Sequence, residues 1–284
     1  MRLATVKVDN TRRAVFVDPK RGVLFADSVL PNFDGDVRDL VELDADDDVL
    51  ALAARAHDDL FVPVDEMLFT APYLRPRKIW GIGLNYRDHA GDLSESVPDE
   101  PASFIKGDHT IVGQDEPIEL PPTTLSNRVT AEAEIGLIIG RTCRNVSEED
   151  ALDYVWGVTT ILDQTAEDIL RRNPRFLTRA KNFPNFFCFG PELVPMAEVR
   201  DTFPELGAIE VSTVRNDDEI RSNTVSNMTF SPRHLVSFHS QVMPLFPGDI
   251  ISTGTPGALV VADGDRIECR IPGIGILRNT IKQG

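Results

Sequence analysis

Residues 129–140, Val-Thr-Ala-Glu-Ala-Glu-Ile-Gly-Leu-Ile-Ile-Gly, constrain this chain more than any other stretch: they have the apolar content of a buried sheet strand and yet carry two carboxylates. Side chains two apart on a strand share a face. Glu132 and Glu134 therefore point the same way, with Cα atoms roughly 6 to 7 Å apart, while Ala133, Ile135, Leu137 and Ile139 line the opposite face as core. Two anions this close repel each other. Two arrangements accommodate them: an edge strand with one wet face, or an interior strand in which a cation or a shared proton sits between the carboxylates.

At 284 residues the chain can bury a substantial core as one large domain, or as a large domain with a small one. Its 45 acidic and 29 basic residues give a net charge of −16, and only six of the basic residues are lysine. A surface this acidic repels nucleic acid and anionic membrane, and no apolar run approaches the length of a membrane span. The N-terminus, Met1-Arg2-Leu3-Ala4-Thr5-Val6, reads as a strand rather than a signal peptide, so a cytoplasmic location is expected. Cys143, Cys188 and Cys269 are far apart with no Cys-x-x-Cys pair, which indicates neither a disulfide framework nor a structural zinc site. Aspartate richness with lysine depletion is also the composition of a halophilic protein, because carboxylates stay hydrated in concentrated salt and screening removes their mutual repulsion. The melting temperature is accordingly expected to rise from dilute buffer to molar KCl; a value that stays level or falls would remove this reading.

Along the chain, residues 48–60 follow an acidic run and read as a helix, and residues 71–77 contain two prolines and little periodicity. A small N-terminal α+β domain is therefore expected over residues 1–72. A strand at 78–83 then breaks into Leu84-Asn85-Tyr86-Arg87-Asp88-His89-Ala90-Gly91-Asp92. If 88–93 form a helical turn, His89 and Asp92 are neighbours, giving the carboxylate-oriented imidazole that general-base work requires; a His that decorates a loop fits the same pattern. Residues 93–100, acidic and without core pattern, read as a mobile lid. Lys106, in Phe104-Ile105-Lys106, and Lys181, amid the aromatic residues of 183–189, stand out in a chain that otherwise avoids lysine. Each points to a site role, with snorkelling to solvent as the alternative.

Ser147-Glu148-Glu149-Asp150 reads as the capping box of a helix. A second buried strand, 154–162, ends at Asp163. That carboxylate either caps a helix at 165–171 or completes an oxygen-rich triad with Glu132 and Glu134, suited to Mg2+ or Mn2+. His234 and His239 fall on a helix after Ser231-Pro232 and read as structural. The loop Thr253-Gly254-Thr255-Pro256-Gly257 offers hydroxyls and glycine-exposed amides able to grip a carboxylate.

Taken in order, Gly83-Leu84-Asn85-Tyr86 with Asp88-His89-Ala90, then Glu132-x-Glu134, Asp163, Lys181, the Thr253-Gly254-Thr255-Pro256 loop, and Gly273-Ile274-Gly275 with Asn279 resemble the fumarylacetoacetate hydrolase family, in its acylpyruvase and 2-hydroxyhepta-2,4-diene-1,7-dioate isomerase-like branch. The resemblance implies an α+β, mainly β fold: a mixed β-sheet roll catalytic domain at 73–284 behind the small N-terminal domain, usually as a homodimer. It implies Mg2+ or Mn2+ on Glu132, Glu134 and Asp163, and a 2-oxo acid substrate that chelates the metal. It further implies catalysis by His89, oriented by Asp92, and by Lys181, with Tyr86, Lys106, Gly254 and Thr255 binding substrate. The reaction implied is hydrolysis of a carbon–carbon bond in an acylpyruvate-like compound. Oxaloacetate decarboxylation, isomerisation and dehydration or lysis of a 2-keto-3-deoxy sugar acid remain open on the same scaffold, and a binding protein without catalysis is the reading of another class. Three positions depart from the family: Asp92 stands for the usual Glu, Glu167 for an Arg, and Pro184 for an Asp. On this reading, alanine at any of the three ligands abolishes metal binding and activity and leaves the fold largely intact.

Overall fold

The structure, a computed structural model, describes residues 1–87 and 98–284. Four strands come from the N-terminal part: β1 (Arg2–Val8), β2 (Thr11–Asp18), β3 (Gly22–Phe25) and β4 (Leu68–Thr70). Then follow β5 (Ile79–Gly83), β6 (Ala102–Lys106), β7 (Ile111–Val112), β8 (Pro117–Leu120), β9 (Val129–Ile139), β10 (Val155–Ala166) and β11 (Phe187–Pro195). The last part carries β12 (Glu210–Arg215), β13 (Glu219–Thr224), β14 (Ile250–Ser252), β15 (Ala258–Val261), β16 (Arg266–Ile271) and β17 (Gly275–Gln283). Among the described residues these make a 12-stranded sheet, with the path β3-β2-β1-β11-β10-β9-β14-β5-β6, and a 5-stranded sheet, β13-β12-β16-β17-β8. Helices are few and short: α1 (Val37–Asp47), α2 (Val49–Ala54), α3 (Glu167–Arg172), α4 (Leu177–Lys181), α5 (Met196–Thr202) and α6 (Pro232–Val242). This is the mainly β, α+β architecture expected. No helix among the described residues is long and apolar enough to cross a membrane.

Strand β9 lies inside the large sheet, paired antiparallel with β10 on one side and with β14 and β15 on the other. The wet-edge arrangement for the two glutamates is thereby excluded. Ala133, Ile135 and Leu137 pack with Val211, Ile267 and Leu277 of the smaller sheet in one apolar core, so the glutamates take the opposite face because the two faces of a strand alternate. Strand β10 is buried along its whole length. Burial on both faces removes any polar alternation that would mark where such a strand stops.

The N-terminal strands continue the large sheet, with β1 set against β11 at Leu3↔Leu193. Leu3, Val37, Leu40 and Tyr73 share one core cluster with Ile138, Ile161 and Phe189. Tyr73, from the proline-containing segment, is fully buried and donates its hydroxyl to the Gly248 carbonyl at 2.9 Å.

Local structure differs from expectation at three places. The helix expected at 48–60 is the short α2 followed by a single turn at Asp58–Leu60, and the longer α1 precedes it. The capping box belongs to Asp36 and Asp39, and the acidic run is the end of α1, closed by Asp48 at φ 50°. Ser147 and Asp150 do hydrogen-bond each other, but they lead into a short 3-10 turn at Ala151–Tyr154 and not an α-helix. Asp163 does not end its strand or cap a helix: β10 runs on to Ala166, and Glu167 starts α3.

Candidate metal centre

Strand register builds this site. Asp163 on β10 lies directly opposite Glu132 on β9, and Glu134 follows two residues along on the same face. One carboxylate oxygen from each can be chosen so that all three lie within 4.8 Å of one another. Glu134 and Asp163 are each only 1% exposed. Such a burden of buried negative charge stands only with counter-charges close by, and both unusual lysines supply them. Lys106 donates to Asp163 Oδ1 at 2.6 Å. Lys181 donates to Asp163 Oδ2 at 2.5 Å and to Glu132 Oε2 at 2.7 Å, with the Phe104 ring 4.8 Å from its ammonium.

Three carboxylates facing two ammonium groups leave one negative charge uncompensated. Burial, followed by the charge of Asp163, pushes the Glu134 carboxyl up to about 8, so that in the metal-free site this group takes up a proton near neutral pH and relieves the excess. Burial acts on Asp163 in the same sense, but Lys106 and Lys181 outweigh it and hold that carboxyl below its usual range. The two lysines shift in opposite directions. Burial draws the Lys106 ammonium down against the pull of Asp163. It also acts on Lys181, yet there Asp163, Glu132 and Glu134 together prevail and raise it. An all-oxygen donor set with surplus negative charge is what a hard divalent cation takes. The residues present fit Mg2+ or Mn2+.

Several supporting side chains escaped the sequence reading. Thr165 donates to Glu132 Oε1 at 2.8 Å, and Ser252 donates to Glu134 Oε2. Asn182 ties the end of α4 to β6, accepting from the Gly107 amide at 2.8 Å and donating to the Ile105 carbonyl at 3.1 Å. The site thereby receives its two lysines from elements held together. Thr165 was within reach of the period-2 rule had β10 been read to its true end; nothing local marks the other two.

Among the residues expected to bind substrate, Lys106 has a fully buried side chain committed to Asp163. Tyr86 is buried, and its hydroxyl has no hydrogen-bond partner among the described residues. The Gly254 amide donates to Glu134 Oε2 at 2.8 Å, and the Thr255 hydroxyl donates to the Gly257 carbonyl at 3.1 Å. His89, Asp92 and most of the segment read as a lid lie outside the described residues. His239 is structural: its ring bonds the Leu235 carbonyl and Ser103 Oγ, each at 2.6 Å. Glu167, at the start of α3, pairs with Arg128 and with Arg171, the latter at 2.9 Å.

A mixed-sheet fold whose central strands gather three carboxylates and two buried ammonium groups defines a protein with a candidate divalent-cation site. The chain belongs to the fumarylacetoacetate hydrolase family and is an enzyme of that family, its residues 78–282 matching the model described as fumarylacetoacetate (FAA) hydrolase C-terminal. An uncharacterized protein of Archaeoglobus fulgidus is 42% identical over 224 residues, covering 78% of this chain and 85% of that one. The mitochondrial oxaloacetate tautomerase Fahd2a of Rattus norvegicus is 32% identical, over 78% of this chain and 71% of its own. Among solved structures, maleylpyruvate hydrolase from Sphingobium sp. SYK-6 in complex with manganese (II) ion and pyruvate superposes over the whole of both chains with a TM-score of 0.83 and 26% identity.

Proposed function

We propose that this enzyme uses Mg2+ or Mn2+ to hydrolyse a carbon–carbon bond in small acylpyruvate-like 2-oxo acids. The observation that supports this most is the union of Glu132, Glu134 and Asp163 with Lys181, a set that pairs a hard-cation site with a buried positive charge. Held by the three carboxylates, the metal supplies Lewis acidity toward the 2-oxo acid. Lys181 sets a fixed ammonium beside the negative charge that develops as the bond beyond C3 breaks. His89, oriented by Asp92, takes a proton from the attacking water and returns it to the departing carbon, so that hydroxide joins the acyl carbon while the bond electrons pass to the enolate. Tyr86 offers an uncommitted hydroxyl for substrate. Lys106 acts through Asp163, whose charge it helps to hold.

A second reading is keto–enol interconversion of oxaloacetate. It is favoured by the rat relative, named an oxaloacetate tautomerase and more alike in sequence than the maleylpyruvate hydrolase, and it needs the same enolate stabilisation without an attacking water.

Incubating the enzyme with Mg2+ or Mn2+ and a panel of acylpyruvates, oxaloacetate and 2-keto-3-deoxy sugar acids separates these readings. Pyruvate release from an acylpyruvate is the expected result. Decay of the oxaloacetate enol absorbance without pyruvate release would move the assignment to the tautomerase, and no turnover on any member would overturn both. Assembly as a homodimer belongs to the same proposal; a monomer in sedimentation equilibrium would remove it.

A further inference from the structure

We propose that Arg128, at the outer end of the strand face that carries the carboxylate centre, binds the far end of the substrate and selects 2-oxo acids that bear a second carboxylate there. This rests on the reading of the centre as a site for 2-oxo acids held at a divalent cation. The register that sets Asp163 opposite Glu132 continues outward: Thr165 lies opposite Thr130, and beyond them the Glu167 amide donates to the Arg128 carbonyl at 2.9 Å. Residues two apart on a strand share a face, so Glu134, Glu132, Thr130 and Arg128 stand in one row. At about 3.3 Å per residue, the Arg128 Cα is about 13 Å from that of Glu132. An extended arginine side chain and a dicarboxylic acid of roughly five to seven carbons span that gap together.

The row has the features of a groove for such a molecule. Thr130 and Thr165 are short, and both hydroxyls donate to Glu132 Oε1, at 3.2 and 2.8 Å, so the rung between the centre and Arg128 carries no charge. Beside this row β15 sets Ala258 against Glu132 and Val260 against Thr130. Both are half-buried, whereas their alternates Leu259 and Val261 are buried in the core, which leaves an accessible apolar flank for a hydrocarbon chain. At the outer end one carboxylate meets two guanidiniums. Glu167, 13% exposed, accepts from Arg128 Nε on one oxygen and from Arg171 on the other, the latter at 2.9 Å, so the trio carries one net positive charge. Arg128 commits only Nε to this pair: among the described residues nothing accepts from its two terminal amino groups, and its side chain is 40% exposed. A guanidinium anchored through Nε presents those two groups as a fork, the geometry that takes a carboxylate in two parallel hydrogen bonds.

Calorimetry at saturating Mn2+ with 2-oxoadipate and 2-oxohexanoate, which differ only in a carboxylate or a methyl group at the far end, tests this role. Neither acid has the second carbonyl at which an acylpyruvate is cleaved, so the result does not depend on which reaction the enzyme catalyses. Wild type is expected to bind 2-oxoadipate more tightly. Arg128→Met should weaken 2-oxoadipate roughly 10- to 100-fold, the range for hydrogen bonds to a charged group, and leave the affinities for 2-oxohexanoate and Mn2+ unchanged. Arg128→Lys, which keeps the charge and loses the fork, should weaken it less. Equal wild-type affinity for the two acids, unaltered 2-oxoadipate affinity in Arg128→Met, or an equal loss for both acids would each overturn the role of Arg128 while leaving the 2-oxo acid site in place. If wild type binds neither acid, the reading of the centre as a 2-oxo acid site falls as well.

Discussion

Glu134→Gln and Asp163→Asn are both expected to lose Mn2+ binding and turnover, but only Asp163→Asn is expected to lose stability. Each replaces a carboxylate by an amide of the same shape, and removing one of three ligands leaves a hard cation under-coordinated. Their surroundings differ. Glu134 is pushed up to about 8 by burial and by Asp163, so in the metal-free protein it is already the neutral member of the cluster near pH 7. A neutral amide there keeps an acceptor for Ser252 and Gly254 and removes the electrostatic conflict. Asp163 is the shared partner of two buried ammonium groups, one on each oxygen. Losing its charge leaves Lys106 without its direct ion-pair partner, and breaking a buried ion pair from one side costs about 3–5 kcal/mol. Urea unfolding of the metal-free variants checks this: the Asp163→Asn midpoint should fall well below wild type, with Glu134→Gln close to it. Equal stabilities would mean that the lysines find other partners. Undiminished Mn2+ affinity in either variant would remove that residue from the ligand set.

His89→Ala is expected to lower turnover by roughly two to four orders of magnitude, the usual contribution of a positioned acid–base group, with Mn2+ affinity little changed because His89 is not a ligand. Asp92→Asn should lose less, since it only orients and charges the imidazole. The connection to the metal centre runs through Asn85, four residues earlier in the chain. Its side chain donates to the carbonyls of Thr253 and Phe230 and accepts from the Phe230 amide at 2.8 Å, so the exit from β5 is fastened to the loop that bonds Glu134. Single-turnover kinetics with the best substrate separate the chemical step from metal loading. Near-full turnover in His89→Ala would transfer the proton to another group and shift the assignment toward decarboxylation, which needs no activated water.

Much of this architecture was legible from short-range pattern. The two-residue period set Glu132 and Glu134 on one face of β9, with Ala133, Ile135 and Leu137 on the other. Scarcity of lysine singled out Lys106 and Lys181 before any partner was known. The order of motifs from Gly83 to Asn279 pointed to the family. Each of these is a property of neighbouring residues or of composition, and such properties survive without knowledge of the fold.

Other features had no local signature. Whether β9 is an edge or a centre depends on β10, β14 and β15, the last two of which pair with it from more than a hundred residues further along the chain, and backbone hydrogen bonds to any of them look alike from β9 itself. Asp163 read as a strand end because apolar character stops there, while β10 continues through Gln164, Thr165 and Ala166, held by pairing with β9. The glycine at 254 and the serine at 252 are ordinary loop and strand residues until Glu134 is brought against them across the sheet. The sequence by itself determined which side chains could bear charge in the interior and on which strand face the glutamates stand. Only the tertiary structure decided that Lys106 and Lys181 divide the two oxygens of Asp163, and that the loop amide serves Glu134, because the strength of a charge pair or hydrogen bond depends on distances of a few ångströms that non-local register alone sets.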